Sequence, residues 1–126
     1  MMEFSTETVQ RAMEAGYLAA GSGMTNKAVE IFEGVAAARP ESEFPDIGRS
    51  FAYLCGGDIP EAIRILNEEA LVKNPESDLA KSFIGLCLKK GGLNAEANEL
   101  LSGVVDEGSD STAKDMAAAL LEESEI

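Results

Sequence analysis

The segment "GDIPEAIRIL" at residues 57–66 has two counterparts in the chain, "GMTNKAVEIF" at 23–32 and "GLNAEANELL" at 92–101. In each segment a glycine is followed five residues later by alanine and nine residues later by a large apolar residue. The alanines recur after 34 and 35 residues. A period of this length predicts helical hairpins that stack on one another.

Each segment holds the turn of a hairpin and the start of its second helix. The glycine gives the turn a permissive backbone, and the alanine lets two helices approach closely. The second helices are predicted to stop at prolines, because Pro40 lies twelve residues after Ala28 and Pro75 lies thirteen after Ala62. Gly108, in "DEGSDS", is the predicted terminator of the third.

The predicted architecture is all-α: one domain, 1–126, in which three degenerate repeats form a helical-hairpin solenoid followed by a C-terminal capping helix. The predicted repeats are 6–40, 43–75 and 77–108, with first helices at about 6–20, 44–55 and 78–90 and the capping helix at about 112–124. The predicted helix caps are Thr25 or Asn26, Asp58, Ser77 or Asp78, Asn94, and Thr112 with Asp115, while Pro45 suits a first turn.

The charge of the chain limits its partners. It has 126 residues with 23 acidic and 10 basic side chains, a net charge of −13, which disfavours nucleic acid and anionic lipid. Histidine is absent, and neither a P-loop nor an EF-hand spacing occurs, so we expect no catalysis, no cofactor and no metal.

The two cysteines and the start of the chain bear on its compartment. Cys55 and Cys87 lie in apolar helical contexts without a CxxC motif, which favours reduced core thiols in a cytoplasmic protein. The first residues, "MMEFSTETVQ", show neither a basic leader nor an apolar region, so no secretory signal is expected.

The repeats resemble the tetratricopeptide (TPR) pattern, although Ala12, Asp46 and Lys81 stand where each first helix normally has an aromatic residue. In a TPR array the first helices line the concave face. The residues predicted to face it are apolar: Met13, Tyr17, Phe44, Ile47, Phe51, Leu54, Leu79 and Leu86. Contiguous apolar surface of this kind is typical of a site that binds an amphipathic helix.

Repeat two also allows another interpretation. Its positions that normally pack against the neighbouring helix hold Asp46, Arg49 and Ser50, which are polar. The stripe that begins at Phe44 and includes Ile47 would then be the core face of a helix rolled about its axis.

Three stretches resemble a narrower family, the short acidic TPR chaperones of bacterial type III secretion that hold the needle subunit. They are "AVEIFEGVAAARP" at 28–40, "FAYLCGGDIPEAIRIL" at 51–66 and "AKSFIGLCLKKGGLNAEANELL" at 80–101. The acidic end "EESEI" has no counterpart in that family.

The resemblance implies a cytoplasmic chaperone that keeps a self-assembling secreted subunit soluble by holding its amphipathic helix in the concave groove. It also implies a second small helical co-chaperone on the N-terminal repeat. Carried over by position, Lys89 and Lys90 would meet acidic client residues at the edge of the groove.

Two other functions remain open at this stage. A generic TPR adaptor would grip a peptide through polar concave residues, for which the chain offers Gln10, Ser82 and Lys89. A self-associating structural protein would bury the same apolar stripe in a homodimer.

Overall fold

The computed structural model describes residues 4–123 and is all-helical over that range, which confirms the predicted fold class. The described residues form seven helices: α1 (Thr6–Gly21), α2 (Thr25–Ala38), α3 (Phe44–Cys55), α4 (Ile59–Ile65 continued by Leu66–Ala70 and Leu71–Lys73), α5 (Asp78–Lys90), α6 (Asn94–Glu107) and α7 (Ser111–Glu123). Residues 124–126, in the "EESEI" end, lie outside the described part, as does the last residue of the predicted capping helix.

The helices divide into two compact units that meet in sequence between Asn74 and Pro75. The N-terminal unit holds the hairpins α1–α2 and α3–α4, and α2 packs against both α1 and α3. The C-terminal unit holds the hairpin α5–α6 and α7, and α6 packs against both α5 and α7. In each unit a second helix is therefore packed between its own first helix and the helix that follows it in the chain.

The glycine turns predicted from the repeat are confirmed. Gly23, Gly57 and Gly92 have positive φ angles of 82°, 89° and 82°. In each turn the N–H of the next residue donates to a carbonyl five residues earlier: Met24 to Ala19 (2.9 Å), Asp58 to Tyr53 (2.8 Å) and Leu93 to Leu88 (2.8 Å). This is the Schellman closure of a helix end, which requires the left-handed conformation that glycine adopts without steric cost.

The alanines at the centres of the repeats, Ala28, Ala62 and Ala97, are fully buried. So are the large residues four positions later. The ring of Phe32 lies against Gly16 and Gly48, and a Cβ on Gly16 would come within 2.6 Å of it. Any side chain at these glycines would collide with the ring. The small residues therefore let three helices close around one aromatic side chain.

Two of the predicted caps are confirmed. Asp58 accepts a hydrogen bond from the N–H of Glu61 (3.2 Å), and Ser77 accepts one from the N–H of Ala80 (3.2 Å). Pro45 lies in the first turn of α3, as predicted. A capping oxygen satisfies a backbone donor that a helix start otherwise leaves without a partner.

The other predicted caps are wrong. Helices α2 and α6 begin after Met24 and Leu93, which supply no capping side chain. Helix α7 is capped by Asp110 and not by Thr112, because Oδ1 of Asp110 accepts from the N–H groups of Thr112 (2.9 Å) and Ala113 (3.2 Å). Capping-box spacing alone did not identify Asp110 as the residue whose side chain accepts these bonds.

Helix α4 contains a π-helical segment, Leu66–Ala70, in which the N–H of Leu71 donates to the carbonyl of Leu66. A π-turn takes up one more residue than an α-turn. This extra residue explains why Pro75 lies thirteen residues after Ala62, whereas the corresponding distance in repeat one is twelve.

The cysteines differ from each other. Cys87 is buried, and burial raises the pKa of its thiol to about 11, which agrees with an inert core thiol. Cys55 is exposed, so its predicted core position is wrong. It is the last residue of α3 and directly precedes the glycine turn, where the core no longer covers the chain.

Candidate protein-binding surface

Three of the residues predicted to face a partner lie together in the N-terminal unit. Met13, Tyr17 and Phe51 are partly buried and pack against the core cluster of Ala20, Ala28, Phe32 and Ala52. The Tyr17 ring meets Phe32 edge-on at a centroid distance of 5.1 Å and lies 5.6 Å from the ring of Phe51. The aromatic contacts thus connect α1, α2 and α3, and they leave part of the Met13, Tyr17 and Phe51 side chains at the surface.

Burial also determines the charge of this surface. It raises the pKa of Tyr17 to about 12, because the phenolate would lose its hydration. The hydroxyl therefore stays protonated throughout the physiological pH range, and Tyr17 contributes a neutral apolar ring to the surface.

The four predicted residues of α3 do not share one environment. Phe44 is 48% exposed, and Phe51 and Leu54 are partly buried. Ile47 is fully buried, so it belongs to the core and not to the exposed face. For Ile47 the predicted groove position is therefore corrected, because a side chain without exposed surface has none to offer a partner.

Helix α3 is nevertheless not rolled away from the TPR arrangement. Asp46 and Ser50 are each 1% exposed, so these polar residues keep the packed positions that the repeat assigns to them. Ser50 Oγ donates to the carbonyl of Ile47 at 2.7 Å. Asp46 is paired with Lys73, whose Nζ lies 2.7 Å from Oδ2. Local partners let α3 bury polar side chains beside apolar ones.

The predicted residues of the C-terminal unit lie on α5. Leu79 and Leu86 are partly buried and pack against the core cluster of Ala97, Leu101, Val104, Ala113, Ala117 and Leu120. They have the same intermediate exposure as Met13 and Tyr17 in the other unit. In both units the predicted apolar positions thus cover a core and keep some exposed surface.

Lys89 has a structural contact. Its side chain is only 11% exposed, and its Nζ donates to the carbonyl of Leu120. The same Nζ lies 3.7 Å from Oε2 of Glu123. A cation at the carboxyl end of a helix satisfies free carbonyls and complements the helix dipole. Lys89 therefore holds the end of α7, while Lys90 is exposed.

A second polar residue on α5 also forms a hydrogen bond to α7. Ser82 is fully buried, and its hydroxyl donates to the carbonyl of Ala113 at 3.1 Å. Of the three polar clamp residues considered from the sequence, Ser82 and Lys89 are thus engaged with α7, and Gln10 is exposed.

Sequence reasoning missed two lateral grooves, one within each unit. The apolar groove lies between α1 and α2, has a volume of about 380 Å³ and is lined by Phe4, Thr8, Val9, Ala12, Glu30, Ile31, Gly34, Val35 and Ala38. The acidic groove lies between α5 and α6, has a volume of about 620 Å³ and is lined by Glu76, Asp78, Lys81, Leu88, Glu96, Glu99, Leu100, Gly103, Val104, Glu107 and Gly108. One signal was available: Gly34 and Gly103 each lie six residues after a repeat alanine.

Residues 4–123 contain no cluster of three or more histidine, cysteine or acidic side chains arranged to hold a metal ion. Over the same residues, every helix is too short or too polar to cross a membrane.

Comparison with known proteins shows similarity of structure. No protein-family model matches the sequence, and no curated protein matches it significantly. Solved structures of the type III secretion translocator chaperone SycD of Yersinia enterocolitica do match. One, described as an alternative dimer, aligns with a TM-score of 0.69 at 18% identity over 97% of this chain and 95% of SycD.

Two further SycD structures agree. SycD in complex with a peptide of the translocator YopD gives a TM-score of 0.65 at 17% identity, over 97% of this chain and 95% of SycD. Another SycD structure gives a TM-score of 0.64 at 17% identity, over 98% of this chain and 90% of SycD. The predicted resemblance to TPR-like type III secretion chaperones is thereby confirmed in the fold: this chain has the helical fold of SycD.

Proposed function

We propose that this chain is a non-catalytic chaperone of a bacterial type III secretion system that acts in the cytoplasm and binds a secreted protein. The observation that carries the proposal is the group of partly buried apolar side chains formed by Met13, Tyr17 and Phe51 of α1 and α3, on a chain with the SycD fold. Phe44 and Leu54 add further partly exposed apolar side chains on α3. In the C-terminal unit, the partly buried Leu79 and Leu86 of α5 are further proposed client-binding residues.

The client in this proposal is a self-assembling, needle-type subunit, and its binding segment is an amphipathic helix. Such a subunit polymerises by burying the apolar face of a helix, so a chaperone need only cover that face. Each apolar side chain that becomes fully buried contributes about 1.5–3 kcal/mol. Association and ordering costs offset much of this gain, so we expect a dissociation constant in the micromolar to nanomolar range. This range corresponds to a standard binding free energy of about −8 to −12 kcal/mol.

A translocator is the second candidate client. This alternative is favoured by the similarity to SycD, which has been solved in complex with a peptide of the translocator YopD. We propose the same apolar surface as the binding site for either client, so the two candidates differ in the client and not in the mechanism.

A generic adaptor that clamps a polar peptide is a weaker hypothesis. It requires free donors along the first helices, and Ser82 and Lys89 both donate to carbonyls of α7. A peptide clamp would have to break these intramolecular hydrogen bonds, so neither side chain is a free donor.

The proposal is tested by co-expressing the chain with needle-type and translocator subunits from the same secretion system and purifying the complex. Phe44→Asp adds a charge at an exposed position and should abolish co-purification without loss of helix content by circular dichroism. Phe51→Asp and Leu86→Asp should also prevent binding. Val72→Asp is the matched control, because Val72 is 70% exposed on α4, a second helix.

Retention of the client by Phe44→Asp and Phe51→Asp would contradict the proposal, as would equal loss in the Val72→Asp control. Unfolding of both Phe51→Asp and Leu86→Asp would assign these residues to the core alone. Sedimentation of the isolated chain adds a second readout, since a homodimer or an unstable protein indicates that a client or a small helical co-chaperone on the N-terminal repeat is missing.

A further inference from the structure

The acidic groove of the C-terminal unit combines an apolar floor with a negative rim. Leu88 from α5 and Leu100 and Val104 from α6 provide the apolar floor. Gly103 provides no side chain, and an added Cβ there would meet nothing within 4 Å. The space above α6 is therefore open to a side chain from another molecule.

The carboxylates on the rim lack internal partners. Glu96, Glu99 and Glu107 are exposed, and within residues 4–123 none of the three forms an ion pair or a side-chain hydrogen bond. Helix α6, "NAEANELLSGVVDE", contains no lysine or arginine. Lys81, on α5, is the basic residue that lines the groove.

The equivalent helix of repeat two is organised differently. On α4, Arg64 pairs with Glu61 (2.5 Å) and Glu68 (3.2 Å), and Glu69 pairs with Arg49 of α3 (2.8 Å). Carboxylates on α4 are thus compensated from within the fold, whereas those on α6 are not. The difference makes the acidic groove complementary to a positively charged partner.

One end of the groove is fixed by Asp78. Its Oδ2 accepts hydrogen bonds from the N–H groups of Asp110 (3.0 Å) and Ser109 (2.8 Å), and these bonds lower the pKa of the carboxyl. Because hydrogen bonds to the ionised form stabilise it, Asp78 keeps its charge and ties the loop before α7 to the start of α5. The groove therefore has a defined end next to the negative rim.

We propose that the acidic groove binds a segment of a partner protein in which lysine or arginine side chains flank an apolar residue. The apolar residue contacts Leu88 and Leu100 over Gly103, and the cationic side chains face Glu96, Glu99 and Glu107. This surface differs from the apolar face of α1 and α3, so the inference does not depend on the proposed chaperone function.

The test uses the full chain and a short fluorescent synthetic peptide of alternating lysine and leucine. Gly103→Lys places a cation inside the groove and should weaken binding of this peptide about tenfold, about 1.4 kcal/mol. Gly34→Lys is the matched control, because Gly34 has the equivalent position on α2 and an added Cβ there meets nothing within 4 Å. The two substitutions also change the net charge equally. The control should bind as the wild type does.

Amide chemical shifts provide an independent readout. On titration with the lysine–leucine peptide, the resonances of Leu88, Leu100 and Gly103 should move most. A peptide of alternating lysine and serine should bind at least about tenfold more weakly, because it cannot contact the apolar floor.

Three outcomes would overturn the proposal. They are equal weakening by Gly103→Lys and Gly34→Lys, equal affinity for the two peptides, and the absence of shift changes around Gly103. The first two would show general attraction to an acidic protein, and the third would show that the groove is not the binding site. Circular dichroism of both lysine variants establishes that each remains folded.

Discussion

The hairpins α1–α2 and α5–α6 have the same framework but grooves of different chemical character, one apolar and one acidic. Both place a buried alanine and a large buried residue on the second helix, and both have an exposed glycine six residues after that alanine. The apolar groove presents Ile31 and Ala38 where the acidic groove presents Leu100 and Glu107. The repeat therefore constrains the residues packed between helices and leaves the lateral groove free to acquire its own chemistry.

Hairpin α3–α4 provides a third version, in which charges of opposite sign meet across the two helices. Asp46, where repeats one and three have Ala12 and Lys81, is buried beside Lys73, and its Oδ1 lies 3.5 Å from Nη2 of Arg49. The three hairpins therefore place an apolar, an ion-paired and an uncompensated acidic surface on one backbone design.

The largest effect should come from the shared framework. Phe32→Ala should lower the free energy of unfolding by about 3–5 kcal/mol and Leu101→Ala by about 2–5 kcal/mol, because each leaves a cavity against glycines that cannot fill it. Urea denaturation followed by circular dichroism measures both. A loss below about 1 kcal/mol in either variant, the range of a tolerated substitution, would mean that the two hairpins do not share the framework.

The next effect separates repeat two from repeat three. Asp46→Ala should cost about 2 kcal/mol, because it removes a fully buried carboxylate and leaves Lys73 without its partner, while Arg49 keeps its ion pair with Glu69. Lys81→Ala, at the equivalent position of α5, should change stability by less than about 0.5 kcal/mol. Equal losses in thermal or urea unfolding would contradict the contrast drawn between these hairpins.

The partly exposed aromatic surface predicts a dependence on pH. The pKa of Tyr17 is raised from 10.0 to about 12 in the folded chain, so its contribution is fully present below about pH 10. That contribution to the free energy of unfolding, about 2–3 kcal/mol, should be lost as pH rises from about 10 through about 12, because the unfolded chain releases the proton first.

Absorbance titration of phenolate in a Tyr53→Phe variant isolates this transition, since the chain has two tyrosines. Ionisation of Tyr17 near its ordinary pKa would show that its ring is not buried against Phe32.

The smallest effect concerns the two open glycines. Gly34→Ala and Gly103→Ala should each stabilise the chain by about 0.5–1 kcal/mol, because alanine favours a helix and an added Cβ meets nothing within 4 Å at either site. Equal gains in both variants would support the equivalence of the grooves, and destabilisation of one would contradict it. Thermal unfolding resolves a difference of this size.

The sequence was sufficient for the helices because local and global signals agree there. Glycine turns, buried alanines and terminal prolines recur at one period, and each has a fixed steric reason. The caps at Asp58 and Ser77 follow a local rule, since each side-chain oxygen accepts from the N–H three residues later.

The partner-facing residues were less predictable, because exposure depends on contacts between helices. Ile47 and Phe44 are both apolar residues on α3, yet one is fully buried and the other is 48% exposed. Lys89 and Ser82 are polar positions whose partners lie 31 residues away on α7. Periodicity places a residue on a helix face but does not identify what packs against that face.

The π-helical segment of α4 has a consequence for how such chains are compared. An added residue normally shifts every later side chain around a helix by about 100°. Here the wide turn absorbs it inside the helix, so the downstream hairpin keeps its pattern while the spacing of the central alanines lengthens from 34 to 35. Alignments that enforce a rigid spacing will therefore lose phase after Leu66, whereas alignments that permit a single insertion within a second helix will keep it.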